Sequence, residues 1–204
     1  SRHRDLNDVP DLLRAQRLVN SPEGTELASL DSAPVWQAIQ VVNKVSQNLH
    51  AEMLLREVAV ATRGVGTLEA GLDERRSFLA SAGIPETLYA FADASGLARQ
   101  GLTSPDATAK LLRYMWARPE REAWLSSLPV GGVDGSLQHR FKGLEGAGRV
   151  HAKTGSLTHV AALSGYLQTK RGRWIAFSLV ANAEVNDSGE VQKFFDRTCA
   201  LFLQ

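Results

Sequence analysis

One cysteine, Cys199, stands in a chain of 204 residues. No intramolecular disulfide can form, and a cysteine-rich zinc site is excluded. Its neighbours Phe194, Phe195, Leu201 and Phe202 point to a buried structural thiol. No apolar run approaches the ~18 residues that a membrane-crossing helix needs. The opening Ser1-Arg2-His3-Arg4-Asp5 does not have the pattern of a signal peptide. Neither sign of charge dominates, since the formal net charge is +1. With no basic stripe and no zinc-finger or RNA-binding signature, no nucleic acid is expected as a partner, nor an anionic membrane surface. The five histidines hold no paired helical zinc motif, because His50-Ala51-Glu52 is spaced too closely and no matching His follows. No metal and no cofactor is expected. What is present is ordinary for a folded globular chain: 44% hydrophobic and 22% charged residues.

Residues 1–30 read as an irregular segment, punctuated by Asp8-Val9-Pro10 and Asn20-Ser21-Pro22, with a short strand expected over Leu27–Leu30. A helix is predicted after Ser32 as cap and Pro34 in the first turn, with Val35, Ile39, Val42 and Val45 on one face. The period breaks at Ser46-Gln47-Asn48, resumes through Leu49, Met53, Leu54 and Val58, and stops at Gly64 and Gly66. Thr67 and Ser104 look like caps of two further helices, and a short helix is expected over 121–126. Residues 93–103 and the glycine-rich stretch 129–148 read as loops. Three strands are predicted over 149–153, 160–169 and 173–183, with Lys170-Arg171-Gly172 as a hairpin turn. An amphipathic helix over 188–203 then covers them. The fold class is α/β (α+β), helices first and an antiparallel meander second.

Lys153-Thr154-Gly155 is the sharpest local feature. A phosphate loop is excluded, because Ala152 stands where that loop needs Gly and strands follow where it needs a helix. Two readings stay open from the residues alone: a strand that ends by turning at Gly155, or a strand presenting Lys and Thr to a carboxylate. Ser46-Gln47-Asn48 is the second feature, either a polar spot on a helix surface or a Ser-x-Asn element.

The surrounding text is more specific than either triplet. Asn43-Lys44-Val45-Ser46-Gln47-Asn48, Asp93-Ala94-Ser95-Gly96-Leu97-Ala98-Arg99, Leu128-Pro129-Val130-Gly131-Gly132-Val133-Asp134-Gly135-Ser136-Leu137, Ala152-Lys153-Thr154-Gly155-Ser156-Leu157 and Ala162-Leu163-Ser164-Gly165-Tyr166 occur in that order. Together they resemble the S13-like D-alanyl-D-alanine carboxypeptidases with endopeptidase activity, which are penicillin-binding proteins, over about residues 27–204. The second block departs from that family's pattern at Ala94 and Ala98. The resemblance implies a partial β-lactamase/transpeptidase-like fold, with residues 31–204 as the C-terminal part of the catalytic domain. It implies catalytic roles for Ser46 (proton relay), Asn48 (substrate amide) and Lys153, and substrate binding by Thr154, Gly155 and the N–H of Ser156. The implied partners are a peptidoglycan stem peptide and β-lactams, outside the cytoplasmic membrane. His151 and His159 flank the Lys-Thr-Gly strand and are expected to be structural.

The family's nucleophile lies in Ser-x-x-Lys, where the Lys shares a helix face with the Ser and activates it. No serine in this chain has Lys three residues later. The expectation is a truncated, inactive portion whose sheet lacks neighbours, stabilised by a complementing N-terminal portion or by self-association. Two alternatives are a serine β-lactamase relative and a non-catalytic wall-binding module.

Overall fold

The computed structural model describes residues 28–183 and 188–204. Helices α1 (Val35–Val45), α2 (Asn48–Arg63) and α3 (Leu68–Ser81) come first. A two-residue ladder follows, β1 (Tyr89–Ala90) against β2 (Leu102–Thr103), then α4 (Pro105–Trp116) and α5 (Arg121–Ser127). The meander β3 (Val150–Leu157), β4 (Val160–Gln168), β5 (Trp174–Asn182) and the helix α6 (Ser188–Ala200) complete the chain. The sheet order is β3-β4-β5, antiparallel throughout.

Several boundaries are set by the chemistry read from the sequence. Thr67 accepts a hydrogen bond from the Ala70 N–H, and Ser104 accepts one from the Ala107 N–H, so each side chain satisfies a donor that its helix leaves free. Gly64 closes α2 in the left-handed conformation. Other expectations need correction. Pro34, not Ser32, is the N-cap of α1, and no side chain caps it. Residues 28–30 form no strand; Leu30 stands almost wholly in solvent. The remaining readings on 1–27 lie outside the described residues. The loop expected over 93–103 ends in β2, which pairs back with β1.

The sheet is covered on both faces. On one, Val150, Ala152, Ala161, Leu163 and Leu167 pack with Phe195, Cys199 and Leu203 of α6 and beyond. Cys199 is buried, which pushes its thiol up to about 12. On the other, Tyr166 packs with Leu112 of α4 and with Leu128, just past α5, flanked by Trp116, Trp124 and Trp174. Trp116, lying 5.3 Å from Tyr166 and 5.2 Å from Trp174, fills the corner between helix and sheet. Each fully buried side chain of this size contributes roughly 1.5–3 kcal/mol.

The stretch 129–148 is long but not loose. Arg140 donates to both carboxylate oxygens of Asp196 and to the Gln192 carbonyl, which ties this stretch to α6. Phe141 is 2% exposed, with its N–H on the same carboxylate. Arg149, one residue before β3, donates to the Leu203 carbonyl at 2.7 Å.

Two surfaces stay uncovered among the described residues. The outer edge of β5 has no strand partner. Along α1 and α2, Trp36, Val41, Val45, Leu49, Met53 and Val58 are each at least 41% exposed, and α1 buries no residue at all.

Candidate active site

Lys153 and Thr154 sit inside β3, not at its end. The strand runs on to Leu157, and a two-residue connection, Thr158-His159, leads into β4. His159 takes φ 64° there, so the turn is built without glycine. The expectation that this strand ends at 153 was too short by four residues, and the reading of Gly155 as its turn is corrected with it. Gly155 pairs with Ala162 in mid-ladder.

β3 is the edge strand, and its outer side is closed only at the start. The Ala152 N–H donates to the Pro129 carbonyl and the Gly131 N–H to the Val150 carbonyl, while Val130 bridges to His151. From Lys153 onward no other strand pairs with that side among the described residues.

Ser46 comes to this edge from the helical side. It links α1 to α2 in the left-handed conformation, φ 60° and ψ 51°, a sparsely populated state for a residue with a side chain. The kink breaks the helical ladder and turns the hydroxyl toward the sheet. The Lys153 ammonium donates to Ser46 Oγ at 2.8 Å, across 107 positions of sequence. It also donates to the Thr154 carbonyl at 2.7 Å. Burial alone holds the ammonium below its ordinary value of 10.5, since no carboxylate sits close enough to restore it. A less strongly protonated lysine on a serine hydroxyl is suited to passing protons.

Asn48 is the first residue of α2, exposed, with no side-chain hydrogen bond among the described residues. Gly155 and Ser156 are exposed on β3 just past Lys153 and Thr154. Ser46 and Lys153 therefore touch, Thr154 adjoins them, and Asn48, Gly155 and Ser156 lie within two residues of that contact along their own elements. No group of three or more His, Cys, Asp or Glu side chains among the described residues could hold a metal ion.

Three contributors escaped the sequence reading. Ser136 accepts a hydrogen bond from the Thr154 hydroxyl at 2.9 Å. Asp134 takes the Lys44 ammonium on Oδ2 at 2.6 Å and the Val130 N–H on Oδ1 at 2.8 Å. Asn43 donates to the buried Ser127 hydroxyl at 2.8 Å. All three contacts span long stretches of chain, and no local spacing announces them.

The loop 93–98 is held just as firmly. The Asp93 carboxylate accepts from the N–H groups of Gly96, Leu97 and Ala98 and from the Ser95 hydroxyl. Glu52, one turn beyond Asn48, accepts from the N–H groups of Ala94 and Ser95 at 2.9 Å each. Burial pushes both carboxyl groups up, but these hydrogen bonds outweigh it and hold them below the usual range. His151 is pushed down, by burial first and then by the nearby Lys44 charge. Its Nδ1 is buried without a partner, and its ring lies 5.6 Å from Trp174, so it belongs to the packing beneath the site.

With this geometry in view, the likeness to known proteins falls into place. A model of the D-Ala-D-Ala carboxypeptidase 3 (S13) family matches residues 10–200. A D-alanyl-D-alanine carboxypeptidase from Actinomadura sp. (strain R39) is 37% identical over 161 residues, covering 76% of this chain and 30% of that protein. The crystal structure of penicillin binding protein 4 from Haemophilus influenzae superposes with a TM-score of 0.78 at 28% identity, over 89% of this chain and 42% of that one; the same protein is also known complexed with a β-lactam. TLA-1 β-lactamase shares the fold, with a TM-score of 0.61 at 17% identity, over 85% of this chain and 65% of that one. The chain spans about a third of the length of the curated relatives it matches. Five motif blocks, a mixed fold with its antiparallel meander, and a model match over nearly all of the sequence agree: this chain belongs to the D-Ala-D-Ala carboxypeptidase 3 (S13) family.

Proposed function

We propose that this chain supplies one half of a serine acyl-transfer site that cleaves the terminal D-alanyl-D-alanine bond of peptidoglycan stem peptides. The observation that carries the reading is the hydrogen bond from Lys153 to Ser46, which joins the two motifs on one groove. In this reading a serine from a Ser-x-x-Lys segment outside these 204 residues attacks the peptide carbonyl. Its proton leaves through Ser46 and Lys153 to the departing D-alanine nitrogen, an acyl-enzyme forms, and water releases it. Asn48 holds the substrate amide. Lys153 and Thr154 take the terminal carboxylate as a charge-assisted contact, and the Ser156 N–H stabilises the oxyanion. β-Lactams would acylate the same serine.

The partner that completes the site is proposed as the segment carrying that serine. It would cover the uncovered apolar face of α1 and α2 and pair with the free edge of β5. Substrate chemistry of this kind places the protein outside the cytoplasmic membrane. Among the described residues no helix is long and apolar enough to cross a membrane.

Fluorescent penicillin tests the reading. The chain alone should stay unlabelled, and co-expression with a Ser-x-x-Lys-bearing portion should give a covalent adduct that survives denaturation. Lys153→Ala in that assembly should slow labelling by about 10²–10⁴-fold. A label on the isolated chain, or undiminished labelling of the variant, would overturn it. The missing Ser-x-x-Lys favours one other reading, a non-catalytic module that binds stem peptides. Peptide binding by the assembly with no adduct would select it.

A further inference from the structure

Asp134 and Gly135 form a joint between the two walls of the groove. Lys44, two residues before Ser46, meets Asp134 Oδ2 at 2.6 Å. The other oxygen of Asp134 holds the Val130 N–H, and Val130 bridges to His151, two residues before Lys153. One carboxylate thus grips the helical wall and the sheet wall just behind the Ser46–Lys153 contact. Gly135 brings the backbones together: at φ 55°, a β-carbon there would stand 2.5 Å from the Lys44 carbonyl oxygen. The next residue, Ser136, meets Thr154. The ion pair is partly open to water, with side chains 21% and 41% exposed, so its worth lies in position more than in attraction.

We infer that Asp134 is a positioning residue that sets the gap between Ser46 and Lys153 by clamping Lys44 to the Val130 backbone. It touches neither substrate nor nucleophile. It acts by holding α1 against the start of β3, so that the left-handed Ser46 is delivered within hydrogen-bond reach of Lys153. The inference rests on the proposed acyl-transfer reading for its functional meaning, but not for its geometry.

Two measurements by NMR on the 204-residue chain test it: the contact between the Lys153 ε-methylene and Ser46 β-methylene protons, and the titration of the Lys153 ammonium. Because burial alone depresses that ammonium, its midpoint reports on the closure of the groove. In Asp134→Asn the contact should weaken and the midpoint should rise; Asp134→Glu should restore part of both. Lys44→Gln breaks the same ion pair and leaves the Val130 N–H its acceptor, so it gives the same answer if Asp134→Asn does not fold. A lowered melting temperature with the contact and the midpoint unchanged in a folded variant would reduce Asp134 to a structural role and overturn the inference. In an assembly that carries the nucleophile, Asp134→Asn should slow penicillin acylation about tenfold. Absence of any adduct in the parent assembly would sink the acyl-transfer reading and leave the NMR result standing.

Discussion

The Tyr166 hydroxyl donates to the Leu112 carbonyl at 2.6 Å and accepts from the Trp124 indole N–H at 3.1 Å. One phenol in the middle of β4 thereby ties α4 and α5 to the sheet. Tyr166→Phe keeps the packing and strands both partners, which should cost about 2 kcal/mol and lower the melting temperature by roughly 4–8 °C. Burial raises the phenol to about 12 from 10.0. The folded state therefore keeps the proton longer than the unfolded one. Tyr166 contributes fully below pH 10, and that contribution is lost as pH rises toward 12. The variant should lack this part of the alkaline loss, which pH-dependent denaturant titrations would show.

Asp196→Ala should be more damaging than a surface ion pair would suggest. The Arg140 and Asp196 side chains are only 12% and 15% exposed. Removing the carboxylate leaves a half-buried guanidinium and the Phe141 N–H without their acceptor, at a cost of about 3 kcal/mol. Chemical denaturation should show the loss, and amide exchange should speed up across 136–141 while α4 stays protected. Equal exchange throughout would mean that the anchor does not act locally.

Gly165→Ala should disturb the strand that carries Lys153. A β-carbon at 165 would stand 2.1 Å from the His151 carbonyl and 2.5 Å from the Ala152 Cα, both backbone atoms that cannot swing aside. The β3–β4 ladder must part locally, and the Lys153–Ser46 contact should weaken with it. A variant with parent stability and an intact contact would show that the ladder yields cheaply.

Lys153→Met should separate the demands of chemistry from those of folding. Burial lowers the ammonium below 10.5, so between its folded midpoint and 10.5 the unfolded chain binds more protons. Stability of the parent should rise with pH across that window. The methionine variant escapes the penalty. It should melt no lower than the parent at pH 7, with any advantage shrinking toward pH 10.5. A drop of several degrees would make Lys153 a support of the fold.

Much of this was legible in the sequence because it is governed by neighbours in the chain. Ser104 before Pro105 announces a capped helix, and the cap is there. Val191 and Phe195 at helical spacing announce the buried face of α6, and both pack on the sheet. The motif blocks brought the right family and hence the right fold. Two-residue strands such as Tyr89–Ala90 carry no period to detect. Thr158-His159 offers none of the usual turn chemistry, so the first hairpin went unseen and its strand was drawn short. Ser136 and Asp134 stood in a quoted block yet gave no sign of their partners, because Thr154 and Lys44 reach them only after folding. Ser32 failed as a cap because Pro34, extended at ψ 144°, starts the helix two residues later.

The Arg149 bond to the Leu203 carbonyl fastens the segment after α6 to the root of β3. Leu203 is 2% exposed, while Gln204 stands in solvent. Any handle attached downstream should therefore leave through Gln204 on a slack spacer. A stiff fusion that drags Leu203 outward would pull on the strand bearing Lys153, and lost penicillin binding in such a hybrid would record the handle, not the enzyme.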